Sequence, residues 1–149
     1  MDGAQILIAG IGGLGGAWAQ RAHEKTGHGI DLVLIDADES TFDSPDAHII
    51  RLGRDLDSAG CAALPPLGEQ RMRQASGVTR TLLEGVEMVI LLTGLGGGTG
   101  TGASSVIARA ARELNILTVG VITLPFSYEG PKRMRRAIEG MNELKKHLD

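Results

Sequence analysis

Aromatic residues are nearly missing from this chain, at 3% of its 149 positions. A core must therefore be aliphatic, which suits buried parallel strands better than an aromatic-rich sandwich. Cysteine occurs once, at Cys61, so no internal disulfide can form and a reducing, cytoplasmic setting is expected. A basic excess is lacking: the net charge of −3 argues against a nucleic-acid binder. The longest apolar run, 88–92, is far too short to cross a bilayer, so no membrane insertion is expected. No basic stretch followed by an apolar run opens the chain, and no secretion signal is expected. Internal repeats and low-complexity tails are also absent, and the length suits one domain with a real core.

What the chain has in excess is glycine, 22 residues gathered in loops. Thr93-Gly94-Leu95-Gly96-Gly97-Gly98-Thr99-Gly100-Thr101-Gly102-Ala103 holds six of them in eleven positions, between an apolar run at 88–92 and a helix-like run at 104–114. Glycine there lets a ligand approach the backbone closely, and the N–H groups of the following helix can converge on an anion. Thr99 and Thr101 add uncharged hydroxyls, and no Lys follows, so this is not a Gly-x-x-x-x-Gly-Lys-Ser/Thr phosphate loop. A flexible linker is the blander alternative. Linkers are rarely flanked so closely by an apolar strand and a helix.

The remaining pattern alternates. Strands are predicted at 4–9, 31–35, 47–52, 87–93 and 117–123, and helices at 17–25, 68–85, 104–114 and 132–148. A second glycine loop, Gly10 to Gly16, follows the first strand, and a long connection at 53–67 is read as a functional loop. This order predicts an α/β fold: a Rossmann-like doubly wound parallel sheet, order 3-2-1-4-5, with helices on both faces. Strands one and four are then neighbours at the switch point, where ligands bind beyond the strand ends. The two glycine loops should lie side by side and form one phosphate pocket. Gly10-x-Gly12-x-x-Gly15 followed by Asp36 is also a fair dinucleotide fingerprint, so an NAD(H)-binding domain is the alternative reading. That reading leaves the second glycine loop unexplained.

Gly94 to Gly102 resembles the signature of the tubulin/FtsZ family of GTPases, on its FtsZ side. Gly10 to Gly16 resembles that family's first phosphate loop, 123–133 (TLPFSYEGPKR) its sugar-contacting loop, and 143–149 (ELKKHLD) an FtsZ helix end. The resemblance implies an FtsZ-like N-terminal nucleotide-binding domain over 1–149 that binds GTP or GDP and is linked to cell division. It implies that Gly13, Gly15, Gly16, Gly98, Thr99 and Gly100 line the phosphates. Gly12, Gly96, Gly97 and Thr101, from the same two loops, complete the phosphate side of the candidate site. Glu129 and Arg133 match the ribose-side contacts; their blander reading is an i,i+4 surface pair.

There are departures. Ala17 stands where the family usually carries Asn. Ser58, Ala62 and Leu64 replace two glycines and an Asn in the loop (58–65) that wraps the terminal phosphate, which counts against sensing of that phosphate. Asp36 and Asp38 follow strand two; two carboxylates there either hold Mg²⁺, for which Asp38 is the candidate, or simply repel the phosphates. The family's second domain and its water-activating acidic loop are expected to lie beyond residue 149. The chain alone is therefore expected to hydrolyse GTP weakly or not at all, with a filament of FtsZ-like subunits or its own copies as partners.

Overall fold

The computed structural model describes residues 5–26, 29–38, 44–53 and 60–149. The start of the first predicted strand at Ala4, the helix-ending Gly27, and Ser58 lie outside them. The chain order is β1 (Ile6–Ile11), α1 (Gly12–Thr26), β2 (Ile30–Asp36), β3 (His48–Arg51), α2 (Pro65–Gln74) and α3 (Ser76–Leu83). Then come β4 (Met88–Gly94), α4 (Gly98–Glu113), β5 (Leu117–Thr123) and α5 (Pro131–Leu144).

Five parallel strands form one sheet in the order β3-β2-β1-β4-β5, the predicted doubly wound arrangement. The aliphatic runs ILIAGI, IDLVLID and MVILLTG supply its centre. Strand alternation sends Leu7, Ala9 and Ile11 to one face and Ile8 to the other. On the first face these side chains meet Met72, Ile107 and Ala111 from the helices α2 and α4. On the second, Ile8 meets Leu32, Leu34 and Ala19 beneath α1.

Two helices begin more than a turn earlier than their sequences suggest. Helix α1 starts at Gly12 rather than 17, and α4 at Gly98 rather than 104, so the glycine runs are themselves first turns. Glycine costs up to about 1 kcal/mol per helical position relative to Ala, and close packing at those positions offsets it. The helix predicted at 68–85 is two helices. It begins at Pro65, whose missing N–H costs nothing in a first turn. It breaks at Ala75, not at Gly77. Asn115, at φ 57°, closes α4, with Ile116 N–H donating to the Ala111 carbonyl and Asn115 N–H to that of Arg112.

Candidate functional site

Ile11 ends β1 directly opposite Thr93 of β4, so two segments of the chain leave the sheet side by side. The first enters α1 at once through Gly12, whose φ of +73° a side chain would resist. The second passes Leu95-Gly96-Gly97 before entering α4. These turns touch: a Cβ placed on Gly12 would stand 3.3 Å from the Gly100 nitrogen and 3.9 Å from the Thr99 Cβ. Thr93, fully buried, links them. Its hydroxyl lies 3.1 Å from the Gly100 carbonyl oxygen and 3.4 Å from that of Ile11, and donates to one at a time. Ser104 also donates its hydroxyl to the Gly100 carbonyl.

A cleft of about 280 Å³ opens where the turns meet. Gly12 and Gly13 line it from the first turn, and Gly97, Gly98, Thr99 and Gly100 from the second. Each helix N-terminus carries up to four backbone N–H groups without an intrahelical partner and roughly half a positive charge. Neither α1 nor α4 has an acidic residue in its first turn, and no side chain caps α4 at Gly97. The first turns of the two helices therefore bring no acidic side chain of their own to the cleft. Asp36, nearly buried at the end of β2, closes one side, with Oδ1 accepting the Ala37 N–H at 2.7 Å.

The opposite rim is Glu129 and Arg133. Arg133 Nε lies 3.1 Å from Glu129 Oε2, and Glu129 Oε1 accepts the Phe126 N–H at 2.9 Å. Beneath them is Gly96, at φ +107°, where a Cβ would stand 2.8 Å from Arg133 Cγ and 2.9 Å from Pro125 Cγ. The pair thus makes the i,i+4 contact of the blander reading and also lines the cleft.

The other candidate residues stand back from the cleft. A Cβ on Gly15 would meet the Leu92 carbonyl oxygen at 2.1 Å, so this glycine lets α1 pack on β4. Gly16 packs over Gly10, whose Cβ would come within 2.7 Å of its Cα. Thr101 is buried, and its Oγ1 accepts the Gly96 N–H at 2.7 Å, so the hydroxyl serves the backbone of the turn. Gly96 supports Arg133 rather than facing the cavity. Asp38 is exposed and is not a lining residue; Asp36 is the carboxylate that lines the cleft. Thr93, whose hydroxyl links the two turns, is not among the site residues read from the sequence. A lone hydroxyl ending an aliphatic strand, directly before the glycine run, is the signal that marks it.

A wall backs the second turn. Cys61 is buried, and a Cβ on Gly98 would stand 2.7 Å from the Cys61 carbonyl oxygen and 2.9 Å from the Leu64 nitrogen. Ala62 and Ala63 hold this wall at φ 46° and 55°, left-handed values unusual for residues with a Cβ. Ala62 occupies one of the positions where the resembling family has glycine.

The family model "Tubulin/FtsZ family, GTPase domain" matches residues 5–149. The chain belongs to the tubulin/FtsZ family. It is 40% identical over 148 residues to the cell division protein FtsZ of Coxiella burnetii, covering 98% of this chain and 38% of that one. FtsZ of Aquifex aeolicus is 38% identical over 149 residues, covering 97% and 40%. The chain thus spans about two fifths of the length of these curated relatives. An empty FtsZ dimer from M. jannaschii superposes with a TM-score of 0.90 at 33% identity, covering 98% of this chain and 43% of that one. CetZ2 from Haloferax volcanii, solved as a GTPγS-bound protofilament, gives 0.84 at 23% identity over 97% and 47%, a likeness of fold.

Proposed function

We propose that the cleft binds the polyphosphate of a guanine nucleotide, GTP or GDP, and that residues 1–149 act as the nucleotide-binding domain of an FtsZ-like protein. The observation that carries this reading is the contact between Gly12 and Gly100, which brings two helix N-termini, neither with an acidic residue in its first turn, to one cavity. Gly97 supports it. Its φ of −88° would suit any residue and a Cβ there would meet nothing, yet glycine stands at the cleft, leaving room for a ligand against the backbone. Glu129 can accept from ribose hydroxyls, and Arg133 can hold the same end of the ligand. Preference for guanine rests on family membership.

Mg²⁺ would arrive with the phosphates. Among the described lining residues Glu129 is ion-paired, leaving Asp36 as the carboxylate to meet it, and Mg²⁺ is commonly held by one or two carboxylates plus phosphate oxygens. The same scarcity of free acids supports weak hydrolysis by the chain alone. A filament of FtsZ-like subunits, or self-association, is the proposed setting, in the cytoplasm. The helices described include none long and apolar enough to cross a membrane.

Calorimetric titration with GTP, GDP, ATP and NAD tests the reading. Saturable binding of both guanine nucleotides, with ATP and NAD weaker, is expected; silence at millimolar GTP and GDP would overturn it. Stronger binding of NAD would return the dinucleotide alternative. Light scattering of FtsZ assembly with added chain tests the filament role, and an unchanged assembly curve would reject it.

A further inference from the structure

The wall behind Gly98 is built from residues in unfavourable backbone conformations, so something must hold it in place. Arg71, in the last turn of α2, is positioned to do so. Its Nη1 donates to the Leu52 carbonyl at 3.3 Å and to the Gly60 carbonyl at 3.1 Å. Gly53 has no side chain where the guanidinium lies: a Cβ there would be 3.1 Å from Arg71 Cζ. Each carbonyl leads to one side of the cleft. Leu52 N–H donates to the Asp36 carbonyl at 2.8 Å, and Asp36 lines the cavity. Gly60 precedes Cys61, which packs on Gly98 at the start of α4. Leu64 N–H donates to the Cys61 carbonyl at 2.8 Å, closing the wall segment on itself.

We propose that Arg71 is a positioning residue, whose guanidinium ties the end of β3 to segment 60–64 and so holds the wall of the cleft against the N-terminus of α4. Both bonds come from Nη1, and the planar guanidinium lies flat against Gly53, with Cζ and Nη1 3.1 Å and Nε 3.3 Å from where a Cβ would stand, a contact that the compact ammonium of Lys does not reproduce. Ala62 and Ala63 keep their left-handed conformations because both ends of the segment are fixed, at Gly60 by Arg71 and at Pro65 by α2. The ligand part of this inference rests on the nucleotide reading above; the part concerning the wall does not.

Cys61, the sole cysteine, reports the wall directly. In the native chain its thiol should react slowly with a disulfide reagent, and more slowly still with GDP bound. Arg71→Met should raise the labelling rate tenfold or more and weaken GDP at least tenfold. Arg71→Lys, which keeps the charge and the donors but loses the flat contact with Gly53, should fall between. Leu32→Ala, a cavity variant in the core beneath α1, controls for stability; at matched loss of stability its labelling should rise far less. Labelling of both Arg71 variants no faster than in that control would overturn the proposal, and so would rapid labelling with unchanged GDP affinity. If the native chain binds no nucleotide, the functional reading fails by itself and the labelling series still decides the role of Arg71.

Discussion

The two glycine turns lie in contact at the same end of the sheet, yet they use glycine differently. In the first turn, Gly12 supplies a positive φ and Gly15 a flat surface against Leu92. In the second, Gly98, Gly100 and Gly102 all sit where a Cβ would strike backbone: the Cys61 carbonyl, the Gly94 carbonyl and the Pro65 carbonyl. Only Gly97 in that turn combines an ordinary φ, open space and a place on the cleft. A run that reads as one phosphate-binding loop is thus largely a seam between α2, α4 and β4, with a short edge on the cleft. Glycine content alone does not separate those jobs; the neighbours of each missing side chain do.

Substitutions at the seam should cost most. Gly102→Ala puts a Cβ 2.0 Å from the Pro65 carbonyl oxygen, and Gly15→Ala puts one 2.1 Å from that of Leu92. Backbone cannot swing aside as a side chain can, so each should lose about 3 kcal/mol in urea unfolding. Losses under 1 kcal/mol would mean that the seam is looser than its geometry. Thr93→Val removes the hydroxyl linking the turns and should cost about 1 kcal/mol, with nucleotide affinity falling further than stability does. Ala62→Gly, in the wall, should stabilise by about 0.5 kcal/mol, because relief of a left-handed alanine outweighs the added chain entropy. The smallest stability effect belongs to Gly97→Ala. Lost chain entropy in the unfolded state and a poorer helix cap oppose each other, leaving a change within about 0.5 kcal/mol. Nucleotide affinity should nevertheless drop tenfold or more, and an unchanged affinity would assign Gly97 no ligand.

Much of this layout is legible in the sequence. Aliphatic runs with glycine exits give the strands, their order and the pairing of the two loops, because parallel connections leave few topologies open. Element starts are less legible. Helix propensity counts against Gly98 and Gly100, and packing against Pro65, Cys61 and Gly94 overrides it. Within the candidate site, Gly13, Gly98, Thr99, Glu129 and Arg133 can be read from motif and register. What Gly15 and Thr101 do cannot, since each depends on a partner far away or on the far side of a turn: Leu92 for the former, the Gly96 N–H for the latter. Asp36 and Asp38 differ only by which side of the strand end each falls on. Arg71 has no signature at all, because its two acceptors are main-chain carbonyls 19 and 11 positions away.

Amide hydrogen exchange during a GDP titration tests most directly whether the two turns grip one polyphosphate. Protection should rise together at Gly12–Gly13 and at Gly98–Gly100, with one half-saturation concentration for both. Protection confined to a single turn, or two unequal midpoints, would contradict a shared site.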